Sequence, residues 1–100
     1  MTYRLQFHED AVREWRKLDS SVRRQFEKKL VGVLQNPRIP ANALSGMKDC
    51  YKIKLRKAGV RLIYEVEDAI ITISVIAVGK RDKDAVYKMA LDRLKSSGQK

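Results

Sequence analysis

The sequence predicts an α+β fold: an N-terminal strand and a helical hairpin packed on a mainly antiparallel, about four-stranded sheet, with a C-terminal helix. Three observations carry this. Two stretches in the first third repeat apolar residues at helical spacing. Three later runs have strand composition and are joined by short turns. A last amphipathic stretch follows them. With 100 residues, 44% of them hydrophobic, the chain suits one core. Residues 1–95 are expected to form a single domain and 96–100 a flexible tail.

In chain order, "TYRLQF" alternates Tyr3, Leu5 and Phe7 with Arg4 and Gln6, a short strand. Glu9 and Asp10 then open a helix, where acidic side chains suit the positive end of its dipole. Its apolar face is Ala11, Val12, Trp15 and Leu18. "LDSS" interrupts it, and Asp19, Ser20 or Ser21 can cap a second helix running to about Gln35. That helix places Val22, Phe26, Leu30, Val33 and Leu34 on one face. "QNPRIPANALSGM" is loop.

Strands are expected at roughly 50–56, 60–67 and 70–78. A first turn with an even number of residues sets Ile53 opposite Leu62 and Leu55 opposite Val60. A second turn at Asp68-Ala69 sets Leu62 opposite Val75 and Val60 opposite Ala77. Those rows are apolar throughout, as a sheet face buried under the helical hairpin requires. Ile63, Ile76 and Val78 then project from the other face. The cover for it is a C-terminal helix capped near Asp82, with Val86, Met89, Ala90 and Leu94 as its stripe and Tyr87 on the flank.

Charge narrows the function. Twenty-two Lys and Arg face twelve Asp and Glu, a net charge of +10. An excess of this size points to a polyanionic partner, of which nucleic acid is the commonest, although anionic membrane or an acidic protein also fits. No apolar run approaches membrane-spanning length, and "MTYRLQFHED" lacks the layout of a signal peptide. The single cysteine, Cys50, cannot form an internal disulfide, so a reducing, cytoplasmic location is expected, with Cys50 a small packing side chain.

The stretch "DCYKIKLRKAGVRLIYEV" is the most informative. Lys52, Lys54 and Arg56 alternate with Tyr51, Ile53 and Leu55, and the register brings Lys54 opposite Arg61. Directly opposed like charges destabilise a sheet by a few tenths to about 1 kcal/mol. Between Lys48 and Arg61 the only carboxylate is Asp49. A solvated strand face needs no such concentration, so the ribbon is read as an anion site. Lys80 and Arg81 follow the last strand, where a loop can aim them at it.

Several chemistries are absent. There is no Gly-rich phosphate loop, no nucleophile elbow and no dense acidic cluster, and His8 is a lone imidazole. No metal or cofactor is therefore expected. Nuclease chemistry remains open if the substrate brings its own nucleophile, as RNA does in its 2′-hydroxyl. The protein must then remove one proton, donate another and stabilise charge on the phosphorane. Arginine suits the last task. A lysine can act as base only with a lowered pKa, and close cations lower it.

These residues resemble the RelE family of toxin–antitoxin toxins. The resemblance runs from about Tyr3 to Leu94 and is carried by "CYKIKLR", "GVRLIYEV" and "VGKR" followed by "VY", as an ordered set. It implies a small α+β domain that cleaves mRNA in the A site of the 30S subunit. Lys52 and Lys54 match the family's catalytic lysines, Lys54 as general base and Lys52 on phosphate. Arg61 and Arg81 match the arginines that stabilise the transition state, with Arg81 also able to help protonate the leaving oxygen. Tyr87 matches the helix tyrosine that stacks on or orients substrate. Lys48, Arg56, Lys57, Lys80 and Lys83 extend this set as RNA-binding residues, and ribosomal RNA is the wider anionic surface.

The resemblance also implies a RelB-like antitoxin that displaces the C-terminal helix, with operator DNA contacted indirectly through the complex. Ser45 stands before Gly46, where close relatives often carry a basic residue, and Lys83 where arginine is frequent. Two rival functions share these features. One is a ParE-like gyrase inhibitor, whose members generally lack the Lys/Arg/Tyr set. The other is a non-catalytic ribosome- or RNA-binding module.

Overall fold

The computed structural model describes residues 2–80 and 85–98, with side chains as far as Lys95. The elements follow in the order β1 (Arg4–Phe7), α1 (Glu9–Arg16), α2 (Ser20–Gln35), β2 (Cys50–Leu55), β3 (Val60–Glu67), β4 (Thr72–Lys80) and α3 (Ala85–Gly98). Short 3-10 turns occupy Pro40–Asn42 and Asp68–Ile70. The sheet order is β1-β4-β3-β2. β1 pairs parallel with β4, and the other two pairings are antiparallel. This is the α+β arrangement expected from the sequence.

The helical hairpin forms where the apolar spacing places it. α1 begins after His8, whose Nδ1 accepts from the Asp10 backbone N–H at 3.2 Å. The expected lone imidazole is thus a helix cap. Asp19 stands at the N-cap of α2. Phe26, Leu30 and Val33 are buried on the inner face of α2, with Trp15, Leu18, Val22 and Leu34 packed at the margin. Phe7, Trp15 and Phe26 form an aromatic file, with centroids 5.3 and 6.1 Å apart. Each large side chain withdrawn from water here contributes about 1.5–3 kcal/mol.

The β2–β3 register is the expected one: Ile53 pairs with Leu62, Leu55 with Val60 and Lys54 with Arg61. The connecting turn needs Gly59, because its φ of +66° lies in the left-handed region that L side chains avoid.

The β3–β4 register departs from expectation. The turn is longer than Asp68-Ala69, since Asp68–Ile70 forms a 3-10 turn and Ile71 takes a left-handed conformation at φ +48°. Val75 therefore pairs with Tyr64 rather than Leu62. A bulge then leaves Ile76 unpaired, and Ala77 pairs with Ile63, Val78 with Leu62 and Lys80 with Val60. An extra residue reverses which side chains point to which face beyond it. Val78 accordingly joins the core under the hairpin, whereas Ala77 turns to the opposite face, the reverse of the sequence-based assignment.

Two cores result. The larger holds Ile53, Leu55, Leu62, Tyr64, Val66, Ile73, Val75 and Val78 beneath α1 and α2. The smaller holds Ile63, Ile76 and Ala77 against Val86 and Ala90 of α3, with Leu44, Met47, Met89 and Leu94 packed on it. The α3 stripe is thus as expected, while the expected cap, Asp82, lies outside the described residues. α3 runs to Gly98. Among the described residues no helix is long and apolar enough to cross a membrane.

Candidate active site

The smaller core leaves part of the sheet bare. α3 packs over β3 and β4, and the edge strand β2 continues beside it with Lys52 and Lys54 half-buried between buried neighbours. Strand alternation forces this: Tyr51, Ile53 and Leu55 turn to the larger core, so the intervening lysines must face the α3 side. There Lys54 stands directly opposite Arg61, and Lys52 opposite Ile63.

Tyr87, in the first turns of α3, reaches over this face. Arg61 donates from Nη1 to the Tyr87 hydroxyl at 2.5 Å, and its Cζ lies 5.5 Å from the ring centroid. The guanidinium is therefore held by an acceptor and by a π-face together. Tyr87 belongs to the site as well as to the flank of the smaller core.

Lys54 is held below the usual lysine range. The charge of Lys52 is the largest cause, followed by desolvation and then by Arg61 and Arg56. The sequence identified the cross-strand Arg61 as the source of repulsion, but the same-strand Lys52 is the stronger neighbour. Among the described residues, the carboxylates nearest the start of β2 are engaged elsewhere. Arg38 binds Asp49 at 2.9 Å and Asp68 at 2.6 Å, collecting acidic groups at the far end of the β2–β3 ribbon. Glu65, at that same end, is raised by burial and then by Glu67 and Asp49. The ribbon is thus acidic where β2 begins and basic towards its turn.

The other expected residues divide. Arg56 and Lys57 lie exposed at the turn, near the basic end. Lys48 is exposed before β2, at its opposite end, across a strand of roughly 20 Å. Lys80 is not in a loop: it ends β4 and shares the face of Val60, away from Arg61. Arg81 and Lys83 lie outside the described residues. Ser45 is exposed in the turn before Gly46, whose φ is +75°.

An open depression of about 700 Å³ flanks β2, lined by Lys29, Asn36 and Asn42 as well as Lys52, Lys54 and Arg56. No local pattern marks the two asparagines, which lie in or beside an ordinary loop. Cys50 is buried, and burial pushes its thiol up to about 12. Among the described residues no three of His, Cys, Asp and Glu gather as a metal-ligand set.

The combination is a cationic floor with one depressed lysine, one fixed arginine and an aromatic rim, fit to receive a phosphodiester. The sequence profile for the ParE toxin of the type II toxin–antitoxin system parDE matches residues 5–85. The mRNA interferase toxin RelE of Escherichia coli K12 is 56% identical over 94 residues, covering 94% of this chain and 99% of that one. A solved structure of a double mutant of E. coli RelE in the free state superposes with a TM-score of 0.88 at 55% identity, over 94% of this chain and 99% of that one. Another, of E. coli RelE bound to an antitoxin RelBc peptide, gives 0.79 at 57% identity, over 90% and 95%. The chain belongs to the RelE/ParE family of type II toxins, in its RelE branch.

Proposed function

We propose that this protein is the toxin of a toxin–antitoxin module and an endoribonuclease that cuts mRNA in the ribosomal A site. The observation that carries the reading is the cluster itself: Lys52, Lys54 and Arg61 on one face, with Tyr87 bonded to Arg61. Identity of 56% to an mRNA interferase supports it.

In this mechanism the 2′-hydroxyl of the substrate attacks the neighbouring phosphorus. Its proton passes to Lys54 Nζ, whose charged form the nearby cations disfavour. The O2′–P bond forms and the P–O5′ bond breaks, leaving a 2′,3′-cyclic phosphate and a 5′-hydroxyl. Lys52 and Arg61 offset the charge that grows on the phosphorane. Arg81 completes this set and helps protonate the leaving oxygen. No metal is needed, because the nucleophile belongs to the substrate. The ribosome supplies the in-line geometry that a shallow, open site lacks.

The working location is the cytoplasm. A RelB-like antitoxin neutralises the toxin by displacing α3, and the complex reaches operator DNA through the antitoxin. A second reading, ParE-like inhibition of gyrase, is favoured by the description of the matching family profile. The complete Lys/Arg/Tyr set weighs against it.

The test uses programmed ribosomes with a normal or a 2′-deoxy A-site codon, and wild type beside Lys54→Ala. Cleavage of the normal codon alone, with cyclic phosphate ends and loss in the variant, is the expected result. Intact mRNA in every arm, with gyrase supercoiling inhibited, would transfer the protein to the second reading.

A further inference from the structure

Away from the cationic floor, one ion pair joins three elements. Glu14 of α1 and Arg93 of α3 meet through two hydrogen bonds, Nη1 to Oε1 at 2.8 Å and Nη2 to Oε2 at 2.7 Å. Arg93 Nη1 also donates to the Ile76 carbonyl at 2.8 Å, and Glu14 Oε1 accepts from the Val78 backbone N–H at 3.0 Å. Both side chains are mostly buried, at 15% and 21% exposure, and Asp10 adds a longer contact to Arg93 at 3.8 Å.

The backbone explains why the pair is there. β1 stops pairing at Phe7 opposite Val75, with one further bond from His8 N–H to the Val75 carbonyl. β4 continues to Lys80, so beyond Val75 its edge towards β1 has no strand beside it. Ile76 C=O and Val78 N–H point to that side, as alternate residues of a strand do. Glu14 and Arg93 supply the acceptor and the donor that a longer β1 would have offered. The same guanidinium then fixes α3, whose fully buried apolar anchors, Val86 and Ala90, are small.

We propose that Glu14 and Arg93 are positioning residues for RNA cleavage: their clamp seats α3 on the sheet edge and so places Tyr87 against Arg61. Tyr87 and Arg93 lie about 9 Å apart along the helix axis. A rigid α3 transmits the seat at one end to the hydroxyl at the other. Loss of the clamp leaves α3 held by its apolar stripe alone, and Arg61 loses its partner in most molecules.

This inference rests on the endoribonuclease reading, and its test separates the two. Arg93→Leu keeps bulk but removes every donor. On programmed ribosomes it is expected to lower kcat roughly tenfold, within the loss that removing Tyr87 itself brings, with KM unchanged. The deciding step is a double-mutant cycle with Tyr87→Ala. In that background Arg93→Leu should cost no more than about twofold, because the clamp acts through a side chain already removed. Equal losses in both backgrounds, or full activity of the single variant, would overturn the proposal. Should Arg93→Leu fail to fold, Glu14→Gln keeps an acceptor for Val78 and is read in the same cycle. If wild type cuts no RNA, the endoribonuclease reading falls alone. Amide exchange of the free protein then decides: faster exchange in α3 with β3 and β4 unchanged supports the clamp, and unchanged α3 exchange refutes it.

Discussion

Tyr87→Phe separates holding an arginine from moving a proton. The phenol accepts from Arg61 Nη1 at 2.5 Å, while the ring lies 5.5 Å from the guanidinium carbon. Phenylalanine keeps the ring and its packing against the smaller core and removes only the acceptor. A hydrogen bond to a charged partner is worth about 1.5–3 kcal/mol, and the half-buried setting takes the lower end. About 1.5 kcal/mol corresponds to a loss of about tenfold in rate if Arg61 must be oriented for turnover. Removing the ring as well, in Tyr87→Ala, forfeits a further 0.5–1 kcal/mol or so of cation–π attraction, up to about fivefold. The assay is single-turnover cleavage on programmed ribosomes at saturating toxin, with the half-saturating concentration measured beside it. The expected pattern is a lower rate at unchanged half-saturation, graded from Phe to Ala. An unaltered rate in Tyr87→Phe would refute the holding role. A loss beyond about a thousandfold would also refute it, by placing the hydroxyl in the proton transfer itself.

Lys52→Met removes the largest cause of the lowered Lys54 pKa, which should rise towards the ordinary lysine range. With the neutral amine as the base of the proposed mechanism, the ascending limb of the pH–rate profile should move to higher pH, and an unmoved limb would sink the tuning argument. The folded-state pKa of Lys54 lies below its unfolded value, so repulsion weakens the fold at neutral pH and is relieved as pH rises through the folded value. The variant should therefore melt above wild type at neutral pH, with the gap closing in alkali. Tyr64→Phe deletes a buried hydroxyl that donates to the Pro37 carbonyl at 2.8 Å. It should cost about 1 kcal/mol in urea unfolding, with an unchanged slope. Cys50 is 1% exposed, with its thiol pushed up to about 12. A thiol reagent at pH near 8 should therefore react at the rate of unfolding, and immediate labelling of the native protein would contradict this burial.

What the sequence made legible follows from physical range. The helices and the β2–β3 register were readable because their signals are local. Alternation across Lys52, Ile53, Lys54 and Leu55 admits one buried face, and Gly59 marks the turn. The β3–β4 register was not readable. From Ile73 to Val78 only Ser74 interrupts the apolar run, and both faces of β4 are covered, so periodicity cannot reveal the bulge at Ile76. That one residue exchanged the places of Ala77 and Val78 and carried Lys80 to the far face. Lys52, Lys54, Arg61 and Tyr87 were singled out as candidates through alternation and resemblance. Glu14 and Arg93 were not, since a pair separated by 79 positions leaves no local pattern.

β2 is an edge strand, and lysines on an edge are a known defence against pairing with another chain. That defence alone could account for Lys52, Lys54 and Arg56. It does not account for their company. A lysine–glutamate ribbon would protect the edge as well and would gain cross-strand attraction rather than losing it. Here Arg38 draws Asp49 and Asp68 to the other end of the ribbon, while Lys54 is left between Lys52 and Arg61. Arg61 has a neutral tyrosine for its partner, which orients the guanidinium without cancelling its charge. A carboxylate in that place would have stabilised the fold and filled the proposed anion site from within. The arrangement gives up stability at the one face where an incoming phosphate can supply the missing negative charge.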